Sequence, residues 1–200
     1  MTDHIRAKKS LGQNFLKDPH YIRMIVDAAQ VTANDRVLEI GPGLGHLTAE
    51  LARSAGNVLA LELDDRLVPV LQREFAGTSN VEIRKADALE FGYAALPGTW
   101  KVVANLPYYI STPILQKLIA ERTKFTSLTL MLQKEVAERI AASPGGKEFG
   151  FLSVLVQYSA SPRLEFIVPA GAFSPRPKVD SAVVTLTMRA HREHTAADES

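Results

Sequence analysis

The sequence contains no cysteine, which excludes disulfide bonds, thiolate zinc sites and a cysteine nucleophile. It has no apolar run long enough to span a bilayer, and residues 1–10 are too polar for a signal peptide. Its five histidines, at positions 4, 20, 46, 191 and 194, show no metal-ligand spacing, so we expect no metal. These absences favour a cytoplasmic protein that does not contact a membrane.

Net charge is also scarce, at only +1, but it is unevenly distributed along the chain. Residues 1–24 carry five basic and two acidic residues, and residues 163–192 carry the same numbers. The basic residues of these two segments are Arg6, Lys8, Lys9, Lys17, Arg23, Arg163, Arg176, Lys178, Arg189 and Arg192. Two basic ends around a neutral body suit a phosphate-facing surface, although small charge excesses are also common at termini.

What the sequence does have is an ordinary globular composition, with 46% hydrophobic and 22% charged residues among 200. These values predict one folded domain with a full core. We place this domain at residues 1–190 and expect the polar residues 191–200 to form a disordered tail.

Short apolar runs alternate with helical patterns over most of the chain, which predicts βαβ units and a mostly parallel sheet of the α/β class. The predicted strands are 36–40, 57–63, 81–85, 102–104 and 128–132, and the predicted helices are 21–30, 44–54, 66–75, 114–121 and 134–142. Residues 151–160 are apolar throughout, and we favour a helix there over a strand. Residues 164–168 and 182–188 predict an antiparallel pair that closes the sheet.

Three predicted strands end in groups suited to binding a nucleoside. The first is followed by a glycine turn that contains Gly41 and Gly43, the second ends at Glu62, and the third is followed by Asp87. An acidic residue about 20 positions after the glycines can bind ribose hydroxyls. The glycine spacing departs from the dinucleotide fingerprint, and Glu39 beside the turn would repel a pyrophosphate. S-adenosylmethionine, which is cationic and carries no phosphate, fits better than a dinucleotide, although a glycine turn can also be purely structural.

A fourth predicted strand is followed by Asn105-Leu106-Pro107-Tyr108. The Asn105 amide oxygen and the Leu106 carbonyl can accept hydrogen bonds from a planar amino group, and the Tyr108 ring can stack on a base. Pro107 fixes φ and stiffens the turn. This tetrapeptide therefore suits transfer of a methyl group to a planar amine, although such a sequence by itself also occurs in strand-end turns.

Two further motifs give the chain a resemblance to the ribosomal RNA adenine N6,N6-dimethyltransferases. Residues 10–16, Ser-Leu-Gly-Gln-Asn-Phe-Leu, are similar to the N-terminal signature of that family, and residues 173–181 are similar to its loop beside the target base. The resemblance implies a Rossmann-like methyltransferase fold with a seven-stranded, mostly parallel sheet and an antiparallel strand near the C-terminal end. It implies that S-adenosylmethionine is bound by Asn14, Leu16, Gly41, Gly43, Glu62, Asp87 and Asn105. It implies that Asn105, Leu106, Pro107 and Tyr108 are catalytic and that Tyr108 and Phe173 hold the adenine.

Within that family the chain most resembles the enzymes that dimethylate two adjacent adenosines of small-subunit ribosomal RNA. The resemblance thus implies ribosomal RNA in the immature small subunit as the partner, and we expect a monomer. The family normally continues into a small helical C-terminal domain, which we expect to be absent from this chain. The alternatives are a large-subunit ribosomal RNA adenine methylase, a non-catalytic RNA-binding or ribosome-assembly module, a DNA adenine methylase and, more remotely, a nicotinamide oxidoreductase.

Overall fold

A seven-stranded sheet forms the centre of the computed structural model, which describes residues 7, 8 and 11–189. The strands of this sheet are β2 (Arg36–Ile40), β3 (Asn57–Glu62), β4 (Val81–Lys85), β5 (Trp100–Asn105), β6 (Phe125–Gln133), β7 (Ala160–Val168) and β9 (Ser181–Met188). Two short strands, β1 (Phe15–Leu16) and β8 (Phe173–Ser174), pair separately. The helices are α1 (Pro19–Ala28), α2 (His46–Ser54), α3 (Val68–Glu74), α4 (Ser111–Ala120), α5 (Lys134–Ala141) and α6 (Phe151–Ser159).

The strand order of the large sheet is β4-β3-β2-β5-β6-β9-β7. The strands from β4 to β6 pair in parallel, whereas β9 is antiparallel to both β6 and β7. The predicted α/β class, the seven strands and the antiparallel strand near the C-terminal end are therefore confirmed. Apolar strand residues alternate between two buried clusters, with Leu38 and Val102 in one and Val37 and Val103 in the other. Such burial on both faces is what parallel strands require, because crossover helices cover each side.

The predicted element types hold, and the differences lie at the boundaries. Helix α1 begins at Pro19 because the Asp18 side chain accepts a hydrogen bond from the His20 backbone N–H (2.9 Å). Helix α2 begins at His46 rather than at residue 44, because Gly45 has a left-handed backbone (φ 82°). The segment 151–159 is helical, as favoured, and β7 begins at Ala160, four residues earlier than the predicted strand.

The pairing of β1 with β8 joins a segment near the start of the described chain to a segment near its end. Phe15 is opposite Ser174 and Leu16 is opposite Phe173 in an antiparallel register. A strand of two residues carries no periodicity, so the sequence does not predict this sheet. It places the N-terminal motif directly against the loop that resembles the base-binding loop of the family.

Several expectations concern residues outside the described part of the chain. Among them are the N-terminal charges Arg6 and Lys9, the first motif residue Ser10, and the tail at 191–200. Between residues 11 and 189, no helix combines the length and apolar character that crossing a membrane requires.

Candidate active site at the carboxyl edge of the sheet

A cavity opens at the carboxyl edge of the sheet, where β2, β3, β4 and β5 end side by side. Residues 11–16 form another wall of this cavity. All of the residues predicted to bind the cofactor line it, namely Asn14, Leu16, Gly41, Gly43, Glu62, Asp87 and Asn105. Leu106, Pro107 and Tyr108 line it as well, so the predicted cofactor and catalytic residues share one cavity.

The glycine turn after β2 is held in place by β3 and by the N-terminal segment. The Gly43 N–H donates to the Glu62 carboxylate (Oε2, 3.1 Å). Gly43 has φ 59°, and a Cβ added there would lie only 2.9 Å from the Phe15 ring. A side chain at this position would therefore strain the backbone and displace Phe15, which explains why the sequence has glycine here.

Glu62 is buried at the end of β3, and each of its two carboxylate oxygens accepts one hydrogen bond from a backbone N–H. Besides the contact with Gly43, Oε1 accepts a hydrogen bond from the Asp64 backbone N–H (2.8 Å). Burial raises the pKa of Glu62, while these backbone donors oppose the shift. Each carboxylate oxygen has a second lone pair, so Glu62 can still accept hydrogen bonds from two hydroxyl groups of a ligand.

Glu39 is the most deeply buried acid of the site, with 1% of its surface exposed at the end of β2. Its pKa is raised to about 8, mainly by burial, and the neighbouring Glu62 contributes to the rise. The nearby Thr48 hydroxyl opposes this rise, although Thr48 Oγ1 does not reach hydrogen-bonding geometry. Glu39 Oε2 has no hydrogen-bond partner, and the residue lines the cavity. An orphaned buried carboxyl oxygen beside a cavity is a site for a donor supplied by a ligand.

The cavity as a whole favours a cation. The carboxyl groups of Glu39, Glu62 and Asp87 line it, and no lysine or arginine of residues 7, 8 and 11–189 does. Acidic groups without a basic one disfavour a pyrophosphate, and a positively charged ligand would in turn favour their ionised forms. In the described ranges, no three or more His, Asp or Glu side chains are grouped so that they could hold a metal ion.

The amide of Asn105 is oriented by the N-terminal segment. Its Nδ2 donates to the Asn14 backbone carbonyl (3.2 Å), so Oδ1 is the amide atom that remains to accept from a ligand. Leu106 follows with its side chain buried and its N–H donating to the Met131 carbonyl on β6 (3.2 Å). Pro107 then turns the chain with φ −58°. Two neighbouring acceptors, Asn105 Oδ1 and the Leu106 carbonyl, are thus fixed at the end of β5.

Tyr108 is held from two directions at the cavity wall. Its hydroxyl shares a hydrogen bond with Ser181 Oγ (2.7 Å), and its carbonyl accepts from Ser111 Oγ (3.1 Å). Burial raises the pKa of the phenol, so the hydroxyl stays protonated at neutral pH. Tyr108 therefore presents a ring in one orientation, and it links the tetrapeptide to the last residue of the 173–181 loop.

Phe173 is the one predicted site residue that does not line the cavity. Only 5% of its surface is exposed, and it packs in a cluster with Leu16, Ala172 and Val183. Its contact with a target adenine stays a prediction, and in the structure its ring stabilises the β1–β8 pair.

Two connections at the site were missed by the sequence analysis, namely Gln13 with Asp64 and Tyr108 with Ser181. Each joins residues more than 50 positions apart, with separations of 51 and 73. The only sequence signal was that Gln13 and Ser181 both belong to motifs that carry the family resemblance. The motifs pointed to the region but not to the bonds.

Comparisons with known proteins agree with this geometry. The family described as Ribosomal RNA adenine dimethylase matches residues 4–199. The protein named Ribosomal RNA small subunit methyltransferase A from Ligilactobacillus salivarius is 49% identical, over 96% of this chain and 67% of the relative. This chain thus spans about two thirds of that relative's length.

Two solved structures share both fold and sequence with the chain. A dimethyladenosine transferase from Plasmodium falciparum superposes with a TM-score of 0.80 and is 34% identical, over 88% of this chain and 63% of that one. The 23S rRNA methyltransferase ErmE superposes with a TM-score of 0.83 and is 32% identical, over 92% of this chain and 73% of that one. The chain therefore belongs to the ribosomal RNA adenine dimethylase family.

Proposed function

We propose that this chain transfers methyl groups from S-adenosylmethionine to the N6 amino groups of two adjacent adenosines in small-subunit ribosomal RNA. The observation that carries the proposal is the placement of Asn105: its amide is oriented by Asn14 and stands at the wall of an acidic cavity. An acceptor for an adenine amino group and a pocket for a cationic methyl donor are therefore adjacent.

The residues of the cavity fit S-adenosylmethionine by their chemistry. Glu39, with its orphaned buried oxygen, would hold the ammonium group, and Glu62 would accept from the ribose hydroxyls. Asp87 and its neighbouring backbone would contact the adenine edge, and Asn14, Leu16 and the glycine turn at Gly41 and Gly43 would enclose the rest. When bound, the cofactor supplies a methyl group activated by a sulfonium.

At the target base, the chain's contribution is positioning and fixed dipoles. The N6 nitrogen of adenine is a poor nucleophile because its lone pair is delocalised into the ring. Asn105 Oδ1 and the Leu106 carbonyl would accept hydrogen bonds from its N–H groups, two before the first transfer and one before the second. These bonds favour positive charge on that nitrogen and direct its lone pair to the cavity. Tyr108 would stack on the base, held by Ser181. The proton is then lost to water from an acidic ammonium, so this scheme needs no dedicated base.

RNA reaches such a site only when the target adenosine is unstacked, so single-stranded or loop RNA is favoured. Arg176 and Lys178 are exposed on the loop that leads from β8 to β9, which ends at Ser181, the hydrogen-bond partner of Tyr108. They are suited to phosphate groups of the strand that carries the target. We infer that the protein acts as a monomer in the cytoplasm, on the immature small subunit.

The choice of the small subunit over the large one is supported by the curated relatives. Eight of them, between 45% and 50% identical to this chain, bear the name Ribosomal RNA small subunit methyltransferase A. The 23S rRNA methyltransferase is 32% identical, which is more distant. Its similar fold keeps the large subunit as an alternative that an experiment must separate.

The experiment offers isotopically labelled S-adenosylmethionine to immature small subunits, large subunits and naked small-subunit RNA in parallel. The expected result is label in two adjacent N6,N6-dimethyladenosines of the small-subunit RNA, identified by mass spectrometry of nuclease fragments. Label in the large-subunit RNA would assign the chain to the alternative activity. Binding of RNA without any label, together with no binding of S-adenosylmethionine by calorimetry, would favour a non-catalytic module.

A further inference from the structure

The N-terminal segment 11–17, here named the strap, crosses the carboxyl edge of the sheet and contacts both sides of the site. On one side it forms a wall of the cavity, and its Leu16 carbonyl contacts His46 Nδ1 at the start of α2 (3.2 Å). On the other side β1 pairs with β8, and the Lys17 N–H donates to the Ala172 carbonyl (3.1 Å). The strap is therefore placed to transmit the state of one side to the other.

A hydrogen bond between Gln13 and Asp64 fixes the strap to the cofactor side. Gln13 Nε2 donates to Asp64 Oδ2 (2.9 Å), while Gln13 Oε1 accepts from the Lys8 backbone N–H (2.7 Å). Asp64 is 3% exposed, and the guanidinium of Arg66 holds the pKa of its carboxyl well below its usual range. Gln13 is thus bound by an ionised, buried acceptor, and such charge-assisted bonds are stronger than bonds between neutral groups.

Asp64 is itself connected to the residue proposed to bind ribose. Its backbone N–H donates to Glu62 Oε1 (2.8 Å), and Glu62 Oε2 accepts from the Gly43 N–H (3.1 Å). A ligand that binds Glu62 therefore stabilises the backbone arrangement in which the Asp64 carboxylate accepts a hydrogen bond from Gln13. The chain of contacts then continues along the strap from Gln13 through Asn14, whose carbonyl orients the Asn105 amide.

We propose that Gln13 and Asp64 are positioning residues that couple an occupied cofactor cavity to the order of the segment 172–181. The inference rests on the proposed function for the identity of the cofactor. The Gln13–Asp64 bond fixes the strap, and a fixed strap holds β1 in position to pair with β8. This pairing orders the loop that holds Ser181 against Tyr108. Binding of the cofactor in the cavity therefore orders the loop that would hold the target base.

The test measures the response of the segment 170–181 to S-adenosylhomocysteine by amide hydrogen exchange, alongside the affinity for that ligand by calorimetry. None of residues 170–181 lines the cavity, so protection there reports coupling rather than direct contact. In the wild-type protein we expect the ligand to slow exchange in this segment by about tenfold. In Gln13→Glu, which turns the donor into a carboxylate facing Asp64, we expect that protection to vanish and the affinity to fall by about tenfold.

The double variant Gln13→Glu with Asp64→Asn is the decisive comparison. It reverses donor and acceptor between positions 13 and 64, and Asp64→Asn alone is measured beside it, because that change also weakens the pair in which Arg66 Nε and Nη2 donate to the Asp64 carboxylate (2.9 and 2.5 Å). We expect the double variant to lose less affinity than the product of the two single losses, which two independent structural defects would not do. Asp65→Asn is the matched control: it removes the neighbouring carboxylate, which is exposed and pairs with Lys85, and it should behave as wild type.

Gln13→Ala removes the donor without adding charge, and it serves if Gln13→Glu does not fold. Protection of 170–181 that survives in Gln13→Ala, or an affinity loss in the double variant equal to the product of the two single losses, would overturn the inference while leaving the proposed function intact. A wild-type protein that binds no S-adenosylhomocysteine would overturn both.

Discussion

The two sides of the cavity differ in charge and in how they use the backbone. One side, here called the cofactor side, is formed by the ends of β2, β3 and β4 and carries Glu39, Glu62 and Asp87. On this side a backbone N–H of the glycine turn donates a hydrogen bond to the Glu62 carboxylate. The base side, formed by the tetrapeptide after β5 and the loop 173–181, offers amide and carbonyl acceptors, a ring and exposed basic residues. Under the proposed function, this difference would direct the cationic cofactor to one side and the polyanionic RNA strand to the other.

The largest effect is expected at the point where the two sides meet, in Asn105→Ala. This change removes the acceptor that Asn14 orients, and preorganised dipoles of this kind are worth about 100-fold or more in rate. We expect methyl transfer to small-subunit RNA to fall by about that factor in single-turnover assays, with a much smaller loss of S-adenosylhomocysteine affinity. Near wild-type transfer by this variant would show that the amide is not part of the catalytic arrangement.

The second effect tests the acidity of the cofactor side through Glu39. Its pKa of about 8 means that the carboxyl is mostly protonated at neutral pH in the ligand-free protein. The ammonium group that Glu39 is proposed to hold, which S-adenosylhomocysteine shares with S-adenosylmethionine, favours the ionised form, so binding should release a proton and strengthen as pH rises. We expect the affinity for S-adenosylhomocysteine to increase about tenfold between about pH 6.5 and about pH 8, measured by calorimetry in buffers of different ionisation enthalpy.

Glu39→Gln is the control for this pH dependence. The variant cannot ionise at position 39, so its affinity should be nearly constant over the same range and its binding should release less proton. A raised pKa in the folded state also means that the free energy of unfolding falls as pH rises from the ordinary value of 4.5 to about 8. The melting temperature of the ligand-free variant, relative to that of the wild-type protein, should therefore be higher at about pH 8 than at about pH 5. Unchanged pH dependence in the variant would remove Glu39 from this role.

The same two sides show how far the sequence could predict the structure. The end of β3 at Glu62 and the position of Asp87 just after β4 follow from local apolar runs and glycine spacing, which need no knowledge of distant residues. A helix at 151–159 is favoured, but a run that is apolar throughout does not by itself distinguish a buried helix from a strand. The burial of Glu39 without a partner could not be predicted, because it depends on which side chains other strands bring near it. Phe173 shows the same limit: the motif identifies its loop, whereas its position inside the core comes from the β1–β8 pair.

A smaller effect is expected from the charges of the base side. Arg176→Gln and Lys178→Gln each remove one exposed cation from the 173–181 loop. If each contacts one phosphate of a single strand, the slope of log affinity against log salt should decrease in magnitude by about 0.7 per substitution. RNA titrations at several salt concentrations measure this slope, and S-adenosylhomocysteine affinity should not change. A variant with an unchanged slope would place that residue outside the RNA contact.

The smallest effect is expected from Tyr108→Phe, which keeps the ring and removes only the hydroxyl that bonds Ser181. A hydrogen bond of this kind contributes about 1 kcal/mol, so the rate of methyl transfer should fall by no more than about tenfold. Tyr108→Ala removes the stacking surface as well and should lose considerably more, mainly in the affinity for RNA. Equal losses in the two variants would mean that the Tyr108–Ser181 bond, rather than the ring, is the contribution of Tyr108. Because Ser181 closes the loop that begins at Phe173, that outcome would also make the order of this loop, more than stacking, the requirement of the base side.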